Sequence, residues 1–320
     1  MGCFIDRCRK VMDDMELGIV KKKDGDLYSA FTIRSMRSNI RVVQSFVVAT
    51  RGVLRMEDVN KELVADFHQF LLDKNLAKNT ISGRLNGLRF WIRRFCGEKL
   101  LDYCGERGKY PMEITTAIAL SIEELRTLYN LSLPNGQKKD LDIFICQCFL
   151  GLRVGDMFKF LKNIAVRQRT LDGHIFFEIL TGKKGTPVVI PAAIIVMQIF
   201  KKYGNSLQKG FSESHYNSTL KKIVEKSTIE REVAFFRTQG GKKTEKIVKL
   251  SSLTSSHTAR RTFATNGYLA GISPFDLMKI TGHKSLNSFF RYMRCDNIAV
   301  ALKISTHQFF KIDFSESVID

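Results

Sequence analysis

Apolar residues recur at helical spacing through the first hundred positions. In FTIRSMRSNIRVVQSF, residues 31–46, Ile33, Met36, Ile40, Val43 and Phe46 fall on one face. Ser29 or Thr32 can cap its start. NTISGRLNGLRFWIRRF, residues 79–95, repeats the design with Ile81, Leu85, Leu88, Ile92 and Phe95 inward. Between them VNKELVADFHQFLLDKN is a third amphipathic helix. Periodicity then fades in CGERGKYPMEITTAIALS, where Gly105, Gly108 and Pro111 mark a linker and a boundary near residue 110.

Beyond it, SIEELRTLYNLSL predicts a helix with Ser121 as cap and Glu124 completing a capping box. DLDIFICQCFLG predicts a more apolar one. Residues 174–191, HIFFEILTGKKGTPVVIP, read as a β-hairpin, and REVAFFRTQGGKKTEKIVKL as a second around Gly240-Gly241. The remainder reads as helical up to a polar tail. No internal repeat stands out. At 320 residues the pattern predicts two domains, 1–110 and 111–320.

Charge narrows the function. The formal net charge is +19, a field that favours a polyanion, either nucleic acid or an anionic membrane surface. Arg34, Arg37 and Arg41 form a stripe on the first helix, and Lys78, Arg84, Arg89 and Arg93 lie mostly off the apolar face of the helix at 79–95. One such stripe is a solvated face; two in a basic domain point to phosphate contacts. No apolar run has the length of a membrane span. The start, MGCFIDRCRKVMDD, lacks the apolar core of a signal peptide, and Asp6 stands where a myristoylation signal takes Ser or Thr. The expected location is cytoplasmic. The seven cysteines are scattered; Cys146 and Cys148 lack further ligands at metal spacing and read as buried free thiols.

Three short motifs carry candidate chemistry. GLRVGDM sets Arg153 at the end of an apolar helix with Asp156 three residues on; alone it reads as a structural ion pair. SSHTARRTFATNGYLAG has Ser255 or Ser256 as cap and puts His257 and Arg260 on one face of a helix N-terminus, where N–H groups and the dipole favour an anion. Small Thr258, Ala259 and Thr262 leave room there. A capping histidine and a surface arginine explain it equally well. GISPFDLMKITGHKSLNSFFRYMR contains two short helices. Ser273-Pro274 starts the first, Gly282 ends it, and His283 follows in the turn. Ser285 caps the second, which buries Leu286, Phe289, Phe290 and Met293. Tyr292 lies at the edge of that stripe, and alone it reads as a half-buried tyrosine.

In order along the chain, Arg153, a hairpin lysine, His257-x-x-Arg260, Gly282-His283 and then Tyr292 resemble the motif series of the tyrosine recombinases, the phage-integrase family. HTARRTFATN and ITGHKSLNSFFRYM most resemble the Bacteroides-type branch. The resemblance spans nearly the whole chain. It implies a mainly α fold with small β-hairpins: a helical, SAM-like core-binding domain and a DNA breaking–rejoining catalytic domain that together clamp duplex DNA. It implies that Tyr292 attacks a phosphodiester to leave a 3′-phosphotyrosyl bond, without metal or cofactor. Arg153 and Arg260 then grip the non-bridging oxygens, and His257 and His283 donate to the phosphate. His257 could also take the tyrosine's proton. KKGTPVVIP resembles the family's K-T-G-x-P-V-x-I-P, so Lys183, or Lys184 one residue on, protonates the leaving oxygen. Asp156 orients Arg153 or the His257 region. Arg291 and Arg294 help draw in the DNA backbone.

The implied partners are double-stranded DNA, a homo-tetramer on paired sites with a Holliday-junction intermediate, and possible accessory DNA-bending proteins. CDNIAVALKISTHQFF is amphipathic and docks on a neighbouring protomer or on its own domain. The chain starts almost at the first core-binding helix, which favours a simple recombinase such as an invertase or resolvase over an integrase with an arm-binding domain. A nucleoid-associated or mobile-element setting fits. A catalytically silent DNA-binding regulator and a type IB topoisomerase-like relaxase remain as alternatives.

Overall fold

In the computed structural model, residues 3–97, 110–182, 185–204, 207, 210, 212–295 and 297–305 are described. The chain forms two compact units: residues 1–116 with 235–246, and residues 117–234 with 247–320.

The first unit begins with four helices, α1 (Phe4–Glu16), α2 (Ala30–Thr50), α3 (Lys61–Asp73) and α4 (Lys78–Cys96). The expected cap on α2 is Ser29, whose hydroxyl accepts from the Thr32 N–H. Asn60 does the same for α3 through Leu63. Their apolar faces meet in one core, with Ile33, Ile40, Val43 and Phe46 from α2 and Ile81, Leu85, Leu88 and Ile92 from α4 buried. Phe95 is only partly buried, while Trp91 is among the largest fully buried side chains. Helix α1 adds Phe4, Ile5, Cys8, Met12 and Met15.

The expected linker divides in two. Residues 104–109 lie outside the described residues. Residues 110–116 belong to the first unit, because polar side chains spaced along α4 hold them. Asn86 pairs with the Tyr110 backbone, Ser82 donates to the Pro111 carbonyl at 2.7 Å, and Asn79 exchanges two bonds with the Glu113 backbone. The Glu113 carboxylate accepts from the N–H and hydroxyl of Thr238, which hold its pKa below the usual range.

The second unit holds α5 (Ile122–Tyr129), α6 (Asn135–Leu150), α7 (Val154–Leu161), α8 (Ile164–Arg167), β1 (Gln168–Leu171), β2 (His174–Thr181), β3 (Thr186–Pro191), α9 (Ile194–Lys202) and α10 (Glu213–Glu225). It continues from β4 (Glu232–Gln239) and β5 (Lys242–Lys249) into α11 (Leu250–Leu253), α12 (Ser256–Leu269), α13 (Pro274–Thr281), α14 (Leu286–Phe290) and α15 (Asn297–Ser305). The capping box of α5 forms as expected between Ser121 and Glu124. The first hairpin gains β1, so the sheet runs β1-β2-β3, antiparallel throughout. In the second hairpin, β4–β5, residues 235–246 join the first unit, where Gln239 bridges Ala77 and the Gly240 N–H donates to Leu76.

Helix α6 is buried almost all round and forms the spine of the second unit's core. Cys146 and Cys148 are free, buried thiols whose pKa burial raises well above the ordinary value. Asp142, on the same helix, is fully buried and accepts from Lys202 Nζ and Tyr203 OH, each at 2.8 Å.

Candidate active site

The site gathers where the ends of α6, α12 and α13 meet the start of α7. Gly151 closes α6 in the left-handed conformation, φ +65°, and a Cβ there would lie 2.5 Å from the Phe263 ring. That turn releases Arg153 as N-cap of α7. Its guanidinium lies 4.0 Å from Asp156, a weak pairing. Asp156 is 5% exposed and accepts the Gly182 N–H on both oxygens, at 3.2 and 3.3 Å. The carboxylate thus ties the end of β2 to α7. Lys183 and Lys184 lie outside the described residues.

Arg260 is the centre. Of the two readings open for it, an anion-binding arginine or a surface one, the surface reading fails, because it is 1% exposed. Helix α12 packs this face on α6, so Thr258, Ala259 and Thr262 are also fully buried rather than leaving space. Arg260 Nη1 donates to the Gly151 carbonyl at 2.7 Å, and Nη2 to the Thr281 carbonyl and, at 3.4 Å, to His283 Nε2. Three of the five N–H donors of a guanidinium are thereby engaged. Nε is buried without a partner among the described residues. Burial, with Arg153 nearby, pushes the Arg260 pKa down to about 10.

Gly282 ends α13 at φ +67° and turns His283 inward, with the His283 N–H donating to Met278. A Cβ at Gly282 would lie 3.2 Å from the Thr181 hydroxyl. The ring of His283 packs on Phe289 and, with centroids 4.8 Å apart, on Tyr292. Burial, then Arg260 and Arg153, lower its pKa to about 3, so the ring is neutral.

Tyr292 follows α14 in a turn rather than lying on the helix, because α14 ends at Phe290 with Arg291 as its C-cap. Its N–H donates to Phe289 at 2.8 Å. The ring is partly buried against Ala264, Leu277 and Phe289 and sits 5.5 Å from the Arg260 guanidinium carbon. Of the stripe expected on α14, Phe289 is buried, Leu286 and Met293 are half-buried, and Phe290 is exposed.

His257 stands at the rim, exposed on the otherwise buried first turn of α12, whose N-cap is Ser255. Desolvation by neighbouring protein, then Arg261, lowers its pKa; Arg260 and Arg153 act in the same direction and Glu213 opposes them. Arg261, beside Arg260 on α12, is a further cation of the site. Desolvation, then Arg294, lowers its pKa, and Tyr292 opposes that shift. The doubled arginine in HTARRT was its one signal. Arg291 is exposed, whereas Arg294 is half-buried, donates its N–H to Thr265 at 3.0 Å, and has a buried Nε with no partner among the described residues. Among the described residues no group of three His, Cys, Asp or Glu could hold a metal, and no helix is long and apolar enough to cross a membrane.

In the first unit the expected stripe of α2 divides. Arg34 and Arg84 line a recess of about 520 Å³ between α2 and α4, with Ser38, Asn39 and Asn79. Arg37 and Arg41 line another, where Arg37 is paired with Asp13 and Glu16 of α1 at 2.8 Å each. Arg89 is half-buried and Arg93 exposed on α4.

Residues 4–103 match the phage integrase SAM-like domain. No curated protein matches the chain. Among solved structures, a post-cleavage complex of the XerH site-specific recombinase on palindromic difH substrate aligns with 95% of this chain and 85% of its own, at TM-score 0.60 and 13% identity. The fold is that of the tyrosine recombinases. The Tn1549 transposon integrase bound to transposon right-end DNA aligns with 96% of this chain and all of its own (100%), at TM-score 0.58 and 13% identity. A lambda integrase tetramer on a Holliday junction aligns with 91% and 76%, at TM-score 0.57 and 14% identity. On this recombinase fold the Arg260, Arg153, His283 and Tyr292 group occupies one end of α12 and its neighbours.

Proposed function

We propose that the chain is a site-specific DNA recombinase that cleaves and rejoins duplex DNA through a tyrosyl–phosphate bond. One observation carries the reading: Arg260, buried and with donors left over, lies against both His283 and the ring of Tyr292. A buried cation crowded by Arg153 is relieved by an anion, and a phosphodiester placed there meets the tyrosine. The Tyr292 phenol oxygen bonds to phosphorus, the P–O5′ bond breaks, and a 3′-phosphotyrosyl link remains. The phenol loses its proton to a base, for which His257 at the rim is a candidate. The departing 5′ oxygen gains one, for which Lys183 is a candidate. The phosphoester energy is conserved, so the 5′ hydroxyl of a partner strand can reverse the step without ATP.

Arg153 and Arg260 bear the charge of the pentavalent transition state, and Asp156 holds Arg153 and the hairpin end in place. Arg34, Arg41, Arg84, Arg89 and Arg93 supply phosphate contacts for the helical unit. By analogy with the lambda integrase tetramer, four protomers would act on two sites, in the cytoplasm, with accessory DNA-bending proteins where the site demands them. The exposed Ile298 and Leu302 of α15 suit a protomer contact.

The test is a suicide duplex carrying the native site, sought as repeats flanking the gene. The purified chain is mixed with it in EDTA beside Tyr292→Phe. A denaturant-resistant protein–DNA adduct that vanishes in the variant is expected. Tight binding to a verified site with no adduct would instead indicate a silent DNA-binding protein. An adduct formed without sequence preference, and with relaxation of supercoils, would indicate a relaxase.

A further inference from the structure

The hydrogen-bond chain through Thr281 fixes where the proton of His283 sits. Thr281 is 1% exposed, so no solvent completes its bonds. Its hydroxyl oxygen lies 2.7 Å from the Leu277 carbonyl and 2.7 Å from His283 Nδ1. Two oxygens that close repel unless a proton lies between them, and a carbonyl only accepts. The one hydroxyl proton therefore points at Leu277. What the hydroxyl offers His283 is a lone pair, so Nδ1 carries the ring proton.

The other end of the ring gives the same answer independently. Nε2 lies 3.4 Å from Arg260 Nη2, and a guanidinium only donates. Nε2 therefore presents its lone pair. The charged and titratable groups around the ring are Arg260 on α12, Arg153 at the start of α7 and Tyr292 after α14, with Lys284 next in the chain. The two arginines disfavour a second proton on the free ring.

We propose that Thr281 is a positioning residue that pins the His283 proton on Nδ1, so that His283 can contact an oxyanion only after taking up a second proton on Nε2. A phosphate or sulfate oxygen cannot approach a bare lone pair. The anion's charge offsets the two arginines, and a proton from water then joins Nε2. The resulting imidazolium donates through Nε2 to the anion and through Nδ1 to Thr281. Anion engagement is thereby coupled to proton uptake at one atom. This rests on the recombinase reading for its purpose, but its test needs no DNA.

The experiment is nitrogen-15 histidine NMR on the full chain, free and titrated with sulfate, for wild type, Thr281→Val and Thr281→Ser. In the free wild type, His283 should show a protonated Nδ1 and a bare Nε2. Saturating sulfate should protonate both, and the sulfate Kd should rise by up to about tenfold per pH unit near neutrality. Thr281→Ser should behave as wild type. Thr281→Val, nearly isosteric, leaves only the 3.4 Å contact with Arg260 to favour Nδ1–H, so it should populate both tautomers and bind sulfate with a weaker pH dependence from His283 than wild type. A bare Nδ1 in the free wild type, or equal proton uptake in wild type and Thr281→Val, overturns the proposal. The adduct assay decides the recombinase reading separately: an adduct with the wrong tautomer sinks only this inference, and no adduct with the right tautomer sinks only that reading.

Discussion

Arg260 donates to the carbonyl of Gly151 at 2.7 Å, so the turn that ends α6 is also a wall of the candidate active site. The backbone at Gly151 is left-handed, and the Phe263 ring fills the space where a Cβ would stand. Gly151→Ala should therefore cost about 1–3 kcal/mol of stability, from the strained φ and the overpacking together. Moving the carbonyl also misdirects the guanidinium. Adduct formation should fall further than the loss of folded protein explains. Urea unfolding beside single-turnover cleavage checks this; equal losses in both would mean the turn serves stability alone.

Arg260→Lys keeps the charge and loses the planar fork that serves Gly151, Thr281 and His283 at once. Adduct formation is expected to drop by about a hundredfold or more, the scale of removing a donor from developing charge. DNA binding should change little, since affinity is spread over many phosphates. A gel-shift titration beside the cleavage assay separates the two. A parallel loss of binding would place Arg260 in anchoring rather than catalysis.

His283 and His257 both have folded pKa values below the ordinary 6.5. In the unfolded chain these rings take up protons near pH 6.5. In the folded protein His283 resists until about pH 3. Across that window the unfolded state binds more protons, so stability should be full above about pH 6.5 and decline as pH falls toward about 3. His283→Gln removes that contribution to the slope. Urea midpoints at neutral and mildly acid pH should converge less for wild type than for the variant; identical slopes would show that the ring titrates freely.

Local chemistry was the legible part of this fold. Ser29, the Ser121–Glu124 box, Ser273-Pro274 and Gly282 start or stop helices where their residue types dictate, because a cap acts within a few positions. The order Arg153, His257, Arg260, His283, Tyr292 was legible as a resemblance, and the structure brings Arg153, Arg260, His283 and Tyr292 together. What escaped depends on distant partners. Nothing around HTARR says that α6 covers Arg260. The pairing of Gln239 with Ala77 joins positions far apart in the chain, so the hairpin's place in the first unit could not be read from its own residues. The linker pattern at 110–116 was overridden by Asn79, Ser82 and Asn86, three side chains at helical spacing on another element.

Arg37 shows the same limit and yields the sharpest contrast for DNA binding. Beside Arg34 and Arg41 it looked like one more phosphate contact, but two carboxylates of α1 hold its guanidinium. Arg34 and Arg84 instead line the recess between α2 and α4, where Arg84 Nη1 reaches the Ser38 hydroxyl at 3.2 Å. Under the recombinase reading, Arg34→Ala and Arg84→Ala should each weaken binding and lower the slope of log affinity against log salt by about 0.9. Arg37→Ala should leave the salt slope nearly unchanged and cost at most about 1 kcal/mol of stability, as partly exposed ion pairs do. Binding titrations over a series of salt concentrations decide it. A slope that falls with Arg37→Ala and stands with Arg34→Ala would move the DNA to the α1 side of the helical unit.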